Sequence, residues 1–267
     1  GATTTAGQPT RDINLNDYYK TFTYEKSGLA LRGDSNTDGF FIKTQWSSSL
    51  TDALSASAKT VEFRIKPTRD TQQYHLFSLS GSDATKDPHL VLTPYTGVLD
   101  ISSSGDATQY GRLDIYLAGI VGGSTPNFPI YNGEFWNIFI GTPGTSGSNS
   151  AVKFGAYQSN FNKNVHYYES SITIAESFRQ PSWGDPYYQN NNIGGAQFAY
   201  FGGLPENNHS DYNAVDTLKY SGSLQEIKYH FHKSGDFEML SHETLKKHAL
   251  EPFMYSGNSV QTNLFNI

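Results

Sequence analysis

The segment TVEFRIKP (60–67) alternates apolar and polar residues one by one, and this period constrains the chain more than any other feature. Period two belongs to an extended strand, whose successive side chains leave on opposite faces. Val61, Phe63 and Ile65 share one face, and Glu62, Arg64 and Lys66 share the other. Pro67 ends the run because it cannot donate to a ladder. Similar short runs recur at TFTYE (21–25), GLALRG (28–33), GFFIK (39–43), YHLFSL (74–79), HLVLTP (89–94), GVLDI (97–101), GRLDIYLAG (111–119), EFWNIFIG (134–141) and AVKFGAYQ (151–158). Such runs, regularly spaced, predict an all-β protein built as a sandwich of half-buried strands.

The stretches between the runs have the chemistry of turns, as in SSSGDATQYG (102–111) and GTPGTSGSNS (141–150). A longer polar and aromatic stretch, SFRQPSWGDPYYQNNNIGG (177–195), has no steady period and predicts an irregular loop. One helix is expected near the end. Ser241 can cap it, Leu245, His248 and Ala249 share one face of HETLKKHAL, and Pro252 stops it. No internal repeat or heptad pattern is present, so residues 13–267 are expected to form a single domain. Residues 1–12 are expected to be a linker or disordered terminus, because GATTTAGQPT has no periodic pattern.

Composition narrows the function. The 18 Tyr and 17 Phe among 267 residues, with 16% charged residues, suit short strands and many turns. Net charge is −6 and the 19 Lys and Arg form no run, which argues against nucleic acid as a partner. Cysteine is absent, which excludes disulfides, thiolate nucleophiles and zinc–sulfur sites but leaves the compartment open. No stretch approaches the ~20 apolar residues of a spanning helix, so membrane insertion is not expected.

The C-terminal third carries a more specific pattern. In YSGSLQEIKYHFHKSGDFEMLSHETLKKHALEPFMYSGN (220–258), Gly222, Leu224, Glu226, Ile227 and Tyr229 form one strand pattern, and Leu240-Ser241 with Leu245, His248 and Pro252 form a capped helix. This segment resembles the close of concanavalin A-like, laminin G-like domains. TVEFRIKPT (60–68), LFSLSG (76–81), GRLDIYLAG and NGEFWNIFIG (132–141) resemble the earlier strands of that family, with Trp136 at an aromatic position that closes the sandwich. The resemblance covers roughly residues 21–258. It implies a jelly-roll of two antiparallel sheets, of the type found in structural proteins of large viruses and in extracellular proteins, and most often non-catalytic.

The segment RGDSNTDG (32–39) admits three readings. It can be a hairpin bend, a calcium loop using Asp34, Asn36 and Asp38, or an adhesion tripeptide. Asp, Asn and Gly suit a tight turn, and the loop position where a calcium hand requires a bidentate Glu is Gln45. The hairpin is the preferred reading, with calcium as the cofactor the loop would take if it binds one.

Catalytic motifs are missing. Glycosidases of this fold place paired acids on one strand, about 5.5 Å apart when they retain configuration. The strings EFRIK (62–66) and QEIKYH (225–230) each offer one carboxylate, so Glu62 and Glu226 read as outer-face or structural, and no Gly-x-Ser-x-Gly elbow occurs. His230 and His232 leave one side of a strand, but no sequence spacing supplies a third metal ligand, since His242 and His248 sit on the helix. Asn208-His209-Ser210 is a glycosylation sequon.

Two loops are the preferred ligand-binding candidates: Trp183, Tyr187 and Tyr188 in one, and Asn207, Asn208, His209 and Asp211 in the other. Aromatic faces beside amides and carboxylates hold sugars, and also serve protein interfaces. The sequence therefore reads as a non-catalytic attachment or assembly module of an extracellular or virion surface. Its partner would be a protein, a surface glycan or further copies of itself. A calcium-assisted glycan-binding lectin and a divergent carbohydrate-active enzyme are the alternatives.

Overall fold

A computed structural model describes residues 11–13, 20–25, 28–33, 42–45, 58–80, 89–97, 107–117, 120–142, 149–159, 164–175, 198–203, 217–218, 220–232, 238–251 and 261–263. The strands are β1 (Arg11–Ile13), β2 (Lys20–Glu25), β3 (Gly28–Gly33), β4 (Ile42–Gln45), β5 (Lys59–Pro67), β6 (Gln73–Ser80), β7 (His89–Pro94) and β8 (Gly111–Leu117). They continue as β9 (Ile120–Ser124), β10 (Trp136–Thr142), β11 (Asn149–Ser159), β12 (Val165–Ala175), β13 (Phe198–Phe201), β14 (Thr217–Leu218), β15 (Gly222–His232) and β16 (Gln261–Asn263). One α-helix, α1 (His242–Leu250), is present among the described residues. None of the described helices is long and apolar enough to cross a membrane.

Two eight-stranded sheets result. The first runs β1-β4-β13-β6-β7-β8-β9, with β14 added in parallel to β6, and the second runs β12-β11-β10-β5-β15-β3-β2, with β16 on β15. All other pairings are antiparallel. The expected all-β, two-layer sandwich with a short C-terminal helix is therefore the observed fold.

Period two places the core between the layers. Val61, Phe63 and Ile65 of β5 are buried there with Ile138 and Ile140 of β10 and with Leu224, Ile227 and Tyr229 of β15. From the facing sheet come Tyr74 and Phe77 of β6, Leu90 and Leu92 of β7, and Phe201 of β13. Phe63 meets Phe201 edge-on at 5.3 Å, and Phe201 meets Phe77 at 5.2 Å, which ties the layers by aromatic pairs. At one end Trp136, buried as expected, stands 5.0 Å from Phe128, whose ring stacks on Tyr168.

Three expectations need correction. The bend between β3 and β4 is not a hairpin: β3 pairs with β2 and β15 in the second sheet, whereas β4 pairs with β1 and β13 in the first. Aspartate, asparagine and glycine favour a reversal but do not choose which layer receives the next strand. Nor is β5 half-buried, since its polar face is buried as well. Arg11 and Asp12, read as the end of a linker, lie in β1. Of the GVLDI run, the residues from Val98 onward lie outside the described residues, as does the loop 177–195.

The closing pattern of the chain has a backbone reason. Gly222 has φ +133, and a Cβ there would run into the Lys66 carbonyl of β5, so only glycine fits. Three residues further on, the register between β15 and β5 slips by one residue between Gln225 and Lys228. This is a β-bulge, and Glu226 sits in it at φ 54, a conformation few non-glycine residues adopt.

Candidate functional site

The outer face of the second sheet is polar at its centre. Across β10, β5 and β15 the opposed residues form rows, Asn137–Arg64–Gln225 and Phe139–Glu62–Lys228, with His230 opposite Thr60 in the next row. Helix α1 lies over this face. Its start is fixed by Ser241, whose Oγ accepts from the Thr244 N–H at 3.2 Å, with Glu243 in the first turn and Lys247 and His248 in the last, as the helix dipole favours. Leu245 and Ala249 pack with Leu240 against Phe139 and Tyr157. His248, about one turn on from Leu245, reaches Glu62 in the polar rows.

Three groups distant in sequence meet beneath the helix. Glu62 Oε2 lies 2.6 Å from His248 Nδ1 and 2.8 Å from His230 Nε2, while Asn137 Nδ2 donates to Glu62 Oε1 at 2.7 Å. Glu62 is 1% exposed, His230 0% and His248 5%. The His230 contact is short enough for a hydrogen bond but is not directed as one, and neither nitrogen of that ring has a hydrogen-bond partner. His248 Nε2 has none either. Burial alone would raise the Glu62 pKa, but the hydrogen bond with His248 and the close approach of both imidazoles outweigh it and hold the carboxyl well below the usual range. Beside this cluster Arg64 donates to Gln225 Oε1 at 2.6 Å, and burial brings its guanidinium pKa down to about 10.

A second feature opens at the start of the helix. A cleft of about 270 Å³ is lined by residues of β10, β11 and β12 and of the helix entrance, including Phe139, Lys153, Glu169, Ser170, Ser171 and His242. Period two on β12 sends Tyr168 and Ile172 inward to the core and Tyr167 and Glu169 outward. Tyr157 donates its hydroxyl to Glu169 and stands 2.7 Å from His242 Nδ1. Tyr167, 47% exposed, stacks on Tyr157 and packs edge-on against His242 at 4.4 Å, with Lys246 Nζ 5.5 Å from its ring. A partly exposed tyrosine thus stands beside a carboxylate, an imidazole and two lysines.

Trp183, Tyr187, Tyr188, Asn207, Asn208, His209 and Asp211, and the loop residues Asp34, Asn36 and Asp38, lie outside the described residues. The reading that His230 lacks further partners is corrected: Glu62 of β5 and His248 of the helix complete a set of three. A long-range signal existed, because Glu62 and His230 both fall on the outward phase of their strands and His248 on the buried face of the helix. No spacing within one segment reveals that they meet. Tyr167, Glu169 and His242 had no sequence signal, since VHYYESSITIA lacks a steady period.

No protein-family model matches the chain, and no curated protein matches it. Among solved structures, the enzymatically active domain of tailspike protein 2 from bacteriophage CBA120 superposes with a TM-score of 0.50 at 16% identity, over 94% of this chain and 32% of that one. The full-length tailspike protein 2 of this Escherichia coli O157:H7 phage gives 0.51 at 16% identity, over 93% and 28%. The binding domain of botulinum neurotoxin DC, solved in complex with SialylT, gives 0.47 at 8% identity, over 94% and 48%. The chain therefore spans about a third of the tailspike chains it matches. At these identities the likeness is one of fold, and the class it defines is the two-layer β-sandwich.

Proposed function

We propose that this domain is a non-catalytic binding module of the concanavalin A-like kind, which attaches a larger assembly to a carbohydrate at an extracellular or virion surface. The observation that carries this reading is the half-exposed Tyr167 side chain next to Glu169 and His242 of the cleft, which Lys153 also lines. A sugar presents an apolar ring face and a rim of hydroxyls. An exposed aromatic takes the first and a carboxylate, imidazole and ammonium take the second. Tyr157 supports the arrangement from beneath by fixing Glu169 and His242 together.

The lining argues for binding over turnover. Hydrolysis of a glycosidic bond uses two carboxyl groups on either side of the bond. Glu169 is the one carboxylate among the described residues lining the cleft. A glycan array probed with the wild-type chain and with Tyr167→Ala tests the reading. Binding to a defined glycan class that weakens about five- to tenfold in the variant is the expected result, the loss of one stacking contact being about 1–1.5 kcal/mol. Glycan binding indifferent to both Tyr167→Ala and Glu169→Gln would place the ligand elsewhere, and release of sugar from a polysaccharide by the purified chain would refute the non-catalytic role.

A further inference from the structure

We infer that Glu62, His230 and His248 form a buried structural site for a divalent first-row transition ion of the zinc class, which pins helix α1 to the second sheet. One ligand atom from each residue lies within 4.8 Å of the others, and all three residues are buried. Two imidazoles and a carboxylate are the donor set that zinc and its neighbours accept, whereas calcium and magnesium take oxygen ligands.

The hydrogen bonding here favours an ion over a plain polar cluster. His230 Nε2 is held 2.8 Å from Glu62 Oε2 without an N–H directed between them. Two electronegative atoms at that distance without a shared proton repel each other, and a buried ring nitrogen with no hydrogen-bond partner is costly. A cation between the two removes both penalties. His248 Nδ1 approaches the same oxygen at 2.6 Å, so both rings converge on one atom of Glu62. Ligands about 2.1 Å from a tetrahedral ion stand about 3.4 Å apart, so the 2.6 Å and 2.8 Å contacts would open by about 0.6–0.8 Å through side-chain adjustment.

The surroundings fit as well. Asn137 Nδ2 holds the other carboxylate oxygen at 2.7 Å, leaving Oε2 for the ion and fixing the orientation of the group, as outer partners do in metal sites. The ligands come from β5, β15 and α1, with Glu62 and His248 separated by 186 positions. An ion here cross-links three segments of a chain that has no cysteine with which to make a disulfide. Water supplies the fourth position. The site is distinct from the cleft at the helix start, and its role is stability.

The test uses tag-free protein stripped with a strong chelator and dialysed. Zinc should then bind at one equivalent by elemental analysis and raise Tm by about 5–10 °C at free zinc a hundredfold above Kd. Calcium and magnesium should leave Tm unchanged, and cobalt(II) should give the intense visible bands of a tetrahedral ion. His248→Gln keeps the size and polarity of the side chain and should abolish the zinc-dependent shift and the cobalt bands. If that variant does not fold, the wild-type cobalt spectrum and stoichiometry decide the matter alone. Stripped, folded wild type that takes up neither zinc nor cobalt overturns the inference, as does His248→Gln that retains the full cobalt spectrum.

Discussion

Glu62 on a central strand and His248 on the only described α-helix are 186 positions apart in sequence, and their side chains meet at 2.6 Å. The contact explains why a nine-residue helix, too short to persist alone in water, has a fixed place. It is held by a polar cluster at one end and by an apolar patch of Leu240, Leu245 and Ala249 on Phe139 and Tyr157 along its length.

Leu245→Ala tests the apolar half of that docking. The side chain is 2% exposed, and truncating a buried leucine leaves a void that the sheet beneath cannot fill. A loss of about 2–4 kcal/mol is expected by urea denaturation, with the second sheet's core unchanged. A loss under about 0.5 kcal/mol would mean that the helix contributes little to the cooperative unit.

On the opposite sheet, Asp114 is buried and accepts from Thr93 Oγ1 at 2.5 Å, from Arg112 Nε at 2.8 Å and from Ser124 Oγ. The carboxylate thereby joins β7, β8 and β9. Asp114→Ala strands all three donors and should cost about 2–3 kcal/mol, whereas Asp114→Asn, which keeps an acceptor, should cost less. Equal losses in the two variants, measured by thermal unfolding, would show that volume matters here and hydrogen bonding does not.

Glu226 gives a prediction in pH. Burial raises its pKa above the ordinary 4.5, against the lowering influence of Lys228 and Arg64. A carboxyl whose folded pKa exceeds its unfolded one favours the fold while protonated, so stability is lost as pH rises from 4.5 through the folded value. Glu226→Gln has no such proton to lose. The Tm of the variant relative to wild type should therefore increase between pH 4 and pH 7, and parallel profiles would contradict the shift. The positive φ of this residue is unaltered by the substitution, which isolates the charge.

The sequence disclosed the strands with the clearest alternation and the helix with its cap and buried face, because both are local patterns. In β5 even the division into core and outer faces was correct. Burial of the outer face was not visible, since the helix that covers it is encoded more than 170 positions later. The eleven-residue β12 escaped notice because His166, Tyr167, Tyr168, Glu169 and Ser170 mix aromatic and polar groups without a steady beat, although in the sheet the two tyrosines face opposite ways. The cleft and the three-residue cluster were hidden for the same reason. Each is assembled from separate strands and the helix, and no single stretch advertises it.

The crossing between β3 and β4 has a consequence for biosynthesis. Within this domain β3 waits for β15 at Gly222–Leu224 and β4 waits for β13 at Phe198–Phe201, although β2 and β1 already flank them. Each early pair therefore keeps one open edge until its distant partner has been made. A domain wired in this way closes its layers late.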